Sequence, residues 1–223
     1  MTTNNSTKVK PTRILLVDDH PVVRQGLADS ISKEADLVVC AEAEERHQAL
    51  GQVERSRPDL LVVDLSLKNS SGMELIKDVR ARWPHLPILV VSMHDENLYA
   101  ERVLRAGARG FITKQEATRN ILAAIRRVLS GQIYLNDKTA SAVLSHLTAH
   151  SKSRGNSSVD LLAERELQVF ELTGEGLSIR EIAERLHIDV KTVETYRARI
   201  KEKLNLKSSS ELLQMAIRWS KEQ

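Results

Sequence analysis

The sequence predicts an α/β fold, a doubly wound five-stranded parallel sheet, followed by a smaller all-α domain. Three observations carry this. Two apolar runs, Ile14-Leu15-Leu16-Val17 and Leu60-Leu61-Val62-Val63, end directly in carboxylates. That is the pattern of strands buried on both faces whose carboxyl edge opens to water. Strand-like and helix-like segments then alternate five times, which calls for crossover connections and helices on both faces of one sheet. Beyond the small, polar stretch Ser151–Ser158 every apolar pattern has helical spacing.

Each element has its own local reason. Residues 1–12 read as a polar tail, and Arg13–Val17 as the first strand. Pro21 pre-sets the first turn of a helix whose apolar face is Val22, Val23, Leu27 and Ile31. Leu37–Ala41 is a second strand and Glu45–Arg57 a second helix. After Leu60–Val63 comes an expected loop, Ser66–Ser71, and Gly72 introduces a third helix with Leu75, Ile76 and Val79 on one side. Pro87 opens the strand Ile88–Val91, which ends at Ser92; Asn97–Arg105 is helical and stops at Gly107. Arg109–Thr113 is a short fifth strand closed by Lys114, and Glu116–Leu129 a fifth helix ended by Ser130-Gly131. A further helix fits Asp137–Ala149. In the second domain Glu164–Leu172, Ser178–Leu186, Val190–Leu204 and Ser209–Trp219 read as helices. Ser178 and Glu181 form a capping box and Asp189 is an expected cap. The domains follow: tail 1–12, sheet domain 13–130, linker with a helix 131–158, helical domain 159–223.

Composition narrows the function classes. Of 223 residues 41% are hydrophobic but only 3% aromatic, so the core is aliphatic. A net charge of +3 is too even to argue for nucleic acid by itself; position must decide. The single Cys40 cannot form an internal disulfide, and a buried strand thiol is the better reading. No apolar run is long enough to span a bilayer and the N-terminus lacks an apolar signal core, so the expectation is a cytoplasmic protein with no membrane partner.

If the first and third strands are neighbours, Asp18, Asp19 and Asp64 meet in one crevice. Three such acids repel unless a cation joins them, and a hard divalent ion such as Mg²⁺ takes oxygen ligands. Val17-Asp18-Asp19-His20-Pro21, Asp64, Ser92 and Phe111 with Lys114 together resemble the receiver domain of two-component response regulators over Arg13 to about Leu129. The resemblance implies a flavodoxin-like fold in which Asp64 accepts a phosphoryl group from a histidine kinase or a small phosphodonor. Asp19 and Asp64 would hold Mg²⁺ with the Ser66 carbonyl, and Asp18 through water. Lys114 would pair with Asp64 and then with a phosphoryl oxygen. Ser92 would donate a hydrogen bond to the phosphoryl group and let Phe111 turn inward. Ser66 and His94 would tune how long the acyl phosphate survives. Lys68 departs from the family's frequent Pro, so the loop after Asp64 is expected to differ in shape or mobility. His20 and His94 lack partners at zinc-ligand spacing, and His146 with His150 is better read as an exposed linker helix.

The run Ile182-Ala183-Glu184-Arg185-Leu186-His187-Ile188-Asp189-Val190-Lys191-Thr192-Val193-Glu194-Thr195 resembles the LuxR-type helix-turn-helix of NarL/FixJ response regulators. Ile182, Leu186, Ile188, Val193, Ile200 and Leu204 have the spacing of a shared core. Val190–Leu204 would enter the major groove of double-stranded promoter DNA. Glu194, Thr195, Ala198 and Arg199 are the candidates for base edges; Lys191, Thr192, Arg197, Lys201 and Lys207 are the candidates for phosphates. Lys203 and Glu202 fit a solvated face equally well. Tyr196 stands where the family often has His. The resemblance implies a homodimer on activation, paired through Leu212, Leu213, Ala216 and Ile217 of the last helix, although packing within one subunit would explain part of that stripe. An Asp-nucleophile phosphatase would need a second Asp two residues after Asp64, where Ser66 stands. A turnover enzyme is therefore disfavoured. The remaining alternative is a receiver-like regulator that acts without phosphorylation.

Overall fold

The computed structural model describes residues 10–67, 70–93, 96–141, 143 and 158–222. The expectations for the N-terminal tail, for Lys68, His94, His146 and His150, and for nearly all of the Ser151–Ser158 linker therefore lie outside the described residues. The chain divides into two compact units, Met1–Ala149 and His150–Gln223.

The strands of the first unit are β1 (Thr12–Val17), β2 (Leu37–Ala43), β3 (Leu60–Val63), β4 (Ser66–Leu67), β5 (Ser70–Ser71), β6 (Ile88–Ser92) and β7 (Gly110–Thr113). Five of them form one sheet in the order β2-β1-β3-β6-β7, every neighbouring pair parallel. The order reverses at β1 and β3, and an α/β sheet opens a crevice at such a reversal. Val17 lies opposite Val63, Val63 opposite Val90, and Ser92 opposite Thr113. This register brings the residues that follow these strands to one edge. The buried runs have a simple cause: with helices on both faces, no position of β3 or β6 reaches water.

The helices are α1 (Pro21–Ser32), α2 (Arg46–Ser56), α3 (Gly72–Arg82), α4 (Glu96–Ala106) and α5 (Lys114–Leu129). Ile14, Leu16, Val62, Leu89 and Ile112 meet Leu27 and Ile31 of α1 and Ile121, Ile125 and Val128 of α5 in one aliphatic core. β2 runs two residues further than expected because β1 keeps pairing with it through Val17 and Ala43. Within the expected loop Ser66–Ser71, β4 pairs antiparallel with β5. Leu67 is fully buried and anchors the pair, which no periodicity in so short a run could reveal. α5 starts two residues early, with the Thr113 hydroxyl accepting from Glu116 N–H at 3.2 Å. Residues 137–141 are helical, in agreement with the start of the expected linker helix.

The second unit opens with a 3-10 turn, Ser158–Leu161, followed by α6 (Glu164–Gly174), α7 (Ile179–Leu186), α8 (Val190–Lys203) and α9 (Ser209–Glu222). Ser178 and Glu181 do form the capping box: Ser178 N–H donates to Glu181 Oε2 at 2.7 Å, and Glu181 N–H to Ser178 Oγ at 3.4 Å. Asp189 departs from expectation. It has the extended backbone of a cap, but its side chain makes no cap hydrogen bond; its carbonyl instead accepts from Thr192 and Val193 N–H. Ile182, Val193, Ile200 and Leu204 are buried as their spacing predicts, while Leu186 and Ile188 are half-buried. In α9, Leu212 and Ala216 pack inside the unit, and Trp219 meets Phe170 edge-on at 5.6 Å between ring centroids. Only Leu213 of the expected pairing stripe is openly exposed.

Candidate functional site

The carboxyl ends of β1 and β3 bring the expected acids together. Asp18 and Asp64 are each only 2% exposed. Lys114, the first residue of α5, places Nζ 2.8 Å from Asp18 Oδ2 and 2.7 Å from Asp64 Oδ2. Asp19 completes the set: one oxygen of each acid, with His20 Nδ1, lies within 4.8 Å of the others. Three carboxylates and one ammonium leave a net charge of −2, which suits a divalent cation. Asp64 Oδ1 is enclosed without a hydrogen-bond partner among the described residues. A buried oxygen left in this way is costly unless a ligand meets it. The donor set, all carboxylate oxygen apart from one imidazole, matches a hard ion such as Mg²⁺.

The electrostatics follow from burial. Burial pushes the Asp64 carboxyl up to about 6; Lys114 opposes the rise and Asp18 adds to it. Burial also works against the ammonium of Lys114, but Asp64 and Asp18 outweigh it and hold the amine above its ordinary value.

The backbone around the acids is tightly specified. Asp18 N–H donates to Ala43 O and Asp64 N–H to Val17 O, so β1 and the end of β2 fix both acids. At Gly72 a Cβ would stand 2.0 Å from the Asp64 carbonyl oxygen and 2.7 Å from Leu65 Cα, so only glycine lets the third helix begin there. Ser66 begins β4 beside Asp64. Ser92 ends β6 and Phe111 lies in β7; both are fully buried.

Two sets of contacts are not foreshadowed by the sequence. His20 is 53% exposed at its side chain, yet its Nδ1 lies 2.7 Å from Asp19 Oδ1 and 3.2 Å from Asp18 Oδ1. Arg24 reaches back from α1: Nη1 donates to the Asp18 carbonyl at 2.6 Å, Nε to Glu42 Oε2 at 2.8 Å and Nη2 to Glu44 Oε1 at 3.0 Å. It ties the loop that carries the acids to the end of β2. The available signal is an Arg directly after the apolar Pro21-Val22-Val23 that opens α1.

In the helical unit α8 turns Val193 and Ile200 into the core, two turns apart. Lys191, Glu194, Thr195, Ala198 and Arg199 are exposed, and Thr192, Arg197 and Lys201 are half-buried. Lys207 is exposed just beyond the helix. The Thr195 hydroxyl donates to Lys191 O at 2.9 Å, so its acceptor lone pairs and its methyl remain to meet a partner. Burial lowers the Arg197 guanidinium from its ordinary value. Lys203 is claimed by its own unit: its Nζ lies 2.6 Å from the buried Glu166 carboxylate, which also accepts from Ala163 N–H. Of the two charges at the end of α8 that fit either role, Lys203 is therefore a structural cation.

Comparison with known proteins assigns both units. Residues 14–126 match the response regulator receiver domain, and residues 160–216 match the luxR family of bacterial regulatory proteins. The chain is 34% identical over 210 residues to the oxygen regulatory protein NreC of Staphylococcus haemolyticus, spanning 92% of this chain and 97% of that one. The NreC of Staphylococcus carnosus is 33% identical over the same extent. Among solved structures, a LuxR-family two-component response regulator from Aurantimonas sp. SI85-9A1 covers 62% of this chain and 99% of its own, with 30% identity and a TM-score of 0.58. The RcsB of Salmonella enterica serovar Typhimurium, bound to a promoter in the presence of the phosphomimetic BeF3⁻, covers 93% of this chain and 98% of its own, with 25% identity and a TM-score of 0.58.

Proposed function

This chain belongs to the two-component response regulators that join a receiver domain to a luxR-family DNA-binding domain and control transcription, and we propose that a phosphoryl group on Asp64 is its switch. The observation that carries this is the cluster itself: Asp64 buried, one oxygen paired with Lys114, the other without a partner among the described residues. In the transfer, one Asp64 carboxylate oxygen bonds to phosphorus as the phosphorus–nitrogen bond to the donor's histidine breaks. The reaction asks little covalent help from the protein and much alignment and charge neutralisation.

The residues divide that work. Asp19 and Asp64, with the Ser66 carbonyl, would hold Mg²⁺, and Asp18 would act through water. Bound there, the ion would supply positive charge against the phosphoryl oxygens. Lys114, already between Asp18 and Asp64, needs only a small shift to follow the new charge. Ser92 would donate a hydroxyl hydrogen bond to the phosphoryl group, and Phe111, buried in the neighbouring strand, would be the residue that responds. Lys191, Thr192, Arg197, Lys201 and Lys207 are proposed to hold DNA phosphates, and Glu194, Thr195, Ala198 and Arg199 to face base edges. Two copies would read one site; the related RcsB has been solved as two dimers bound to two parallel DNAs. No helix among the described residues is long and apolar enough to cross a membrane. A cytoplasmic location, where kinase and promoter meet, is part of the same proposal.

Treatment with acetyl phosphate, with and without Mg²⁺, tests the assignment by intact mass and peptide mapping. A metal-dependent acyl phosphate on Asp64 is the expected result. No adduct would leave a regulator that works without phosphorylation, and rapid turnover of the donor would point to an enzyme.

A further inference from the structure

After α5 the chain doubles back along the sheet. Gly131, at φ +82°, makes the turn, and its carbonyl accepts from Arg109 Nη1 at 3.0 Å. Tyr134 N–H then donates to Arg109 O at 3.0 Å and Phe111 N–H to Tyr134 O at 2.9 Å. The resulting bridge between Gly110 and Tyr134 is parallel. β7 is an edge strand, and these bonds occupy backbone groups that an open edge would leave to water or to another chain. The half-buried Tyr134 ring packs on the main core.

Two residues on, the segment reaches α4. Asn136 N–H donates to Glu96 Oε1 at 3.1 Å, and Asn136 Nδ2 donates to Glu96 Oε2. Glu96 is the first residue of α4 and only 4% exposed. A carboxylate so enclosed needs donors, and Asn136 supplies two. The other side of the same amide caps the helix that follows: Asn136 Oδ1 accepts from Thr139 N–H at 2.8 Å. One side chain thus joins the start of α4 to the start of the linker helix.

The strap touches both connections that carry the phosphoryl-handling groups. β6 ends at Ser92, and Glu96 opens the next helix. β7 holds Phe111, whose N–H the strap binds, and Lys114 begins α5 directly after β7. We propose that Asn136 is a positioning residue for phosphoryl transfer: through Glu96 and the Tyr134 bridge it fixes the main chain that presents Ser92 and Lys114 to Asp64. The coupling is reciprocal, as linkage requires, so a phosphoryl group that shifts those segments also loads the strap, and with it the chain leading to the helical unit.

This rests on Asp64 being the acceptor, and the experiment separates the two claims. Asn136→Asp keeps the helix cap, since Asp and Asn cap equally well, but sets a carboxylate against Glu96. The exchange pair E96Q/N136D restores an amide donor facing a carboxylate. Wild type and both variants are compared, in the full chain with Mg²⁺, for the rate of Asp64 labelling by acetyl phosphate and for hydrogen exchange at the Phe111 and Tyr134 amides. Asn136→Asp is expected to label at least threefold more slowly and to exchange both amides at least tenfold faster, well below its melting range. The exchange pair is expected to return both to within twofold of wild type. Labelling of Asn136→Asp at the wild-type rate, or an exchange pair that stays slow, overturns the positioning role while leaving Asp64 as acceptor. A wild type that takes no label overturns both.

Discussion

Protons and Mg²⁺ should compete for Asp64, and the pH dependence of metal affinity measures that competition. With its carboxyl pushed up to about 6, Asp64 is nearly all ionised at pH 7 and mostly protonated at pH 5. A cation needs the ionised form, so apparent affinity falls as pH drops through about 6. For one proton the dissociation constant should rise about tenfold between pH 7 and pH 5. The same shift has the opposite sign for the metal-free fold. An acid whose carboxyl is raised on folding is free of penalty below its unfolded value near 4. Metal-free stability should therefore decline as pH rises from about 4 to about 6, by at most roughly 3 kcal/mol. Saturating Mg²⁺ should reverse that decline, adding about 2.7 kcal/mol at a hundredfold excess over its dissociation constant. Calorimetric titrations of Mg²⁺ at pH 5, 6 and 7, run on wild type and Asp64→Asn, check the point. The variant should bind weakly and lose most of the slope. A flat affinity in wild type, or an unchanged slope in the variant, would refute the assignment of the buried carboxyl as a metal ligand.

Gly72→Ala should destabilise the receiver unit by about 3 kcal/mol or more, because its Cβ meets the Asp64 carbonyl at 2.0 Å. Urea denaturation reads this, and a loss under about 1 kcal/mol would mean that the backbone yields more easily than the contact implies. Lys203→Ala should cost the helical unit about 1–3 kcal/mol, because the buried Glu166 carboxylate loses its cation and keeps only the Ala163 N–H. Arg199→Ala should leave the melting temperature alone and weaken DNA binding by about 1–3 kcal/mol at fixed salt. The opposite pattern in the two variants would exchange their assigned roles. Arg24→Ala removes the clamp on the Asp18 carbonyl and should lower stability by about 1.5–3 kcal/mol; Arg24→Lys, which keeps one donor and the charge, should recover part of it.

The fold is legible in the sequence because its signals are strong and local. Runs such as Leu60–Val63 and Ile88–Val91 are apolar at every position, which in chains of this alternating pattern leaves a strand covered on both faces. Asp18, Asp19, Asp64 and Lys114 are legible because each closely follows a strand, where the edge of a parallel sheet can hold a charge. The pairing of β4 with β5 is not, because it is held by the burial of Leu67, a tertiary event with no period to betray it. The contacts of Arg24, Lys203 and Asn136 are hidden for a related reason. Each bonds a residue 18 to 42 positions away or a main-chain atom, and polar side chains on a helix or loop look solvated until the fold supplies their partners. Asp189 shows the converse: a residue type that favours caps, at the right place, whose carboxylate makes no cap bond.

The most direct measurement is DNA binding against the state of Asp64. Duplexes enriched from a random pool by acetyl-phosphate-treated protein would be titrated, at one salt concentration with Mg²⁺, with wild type and Asp64→Asn, each with and without the phosphodonor. A phosphorylated receiver that pairs two DNA-binding domains predicts at least a tenfold gain in affinity for treated wild type, a matching rise in dimer by sedimentation, and no response in the variant. Equal affinity with and without donor in wild type, or a gain that survives Asp64→Asn, would contradict it.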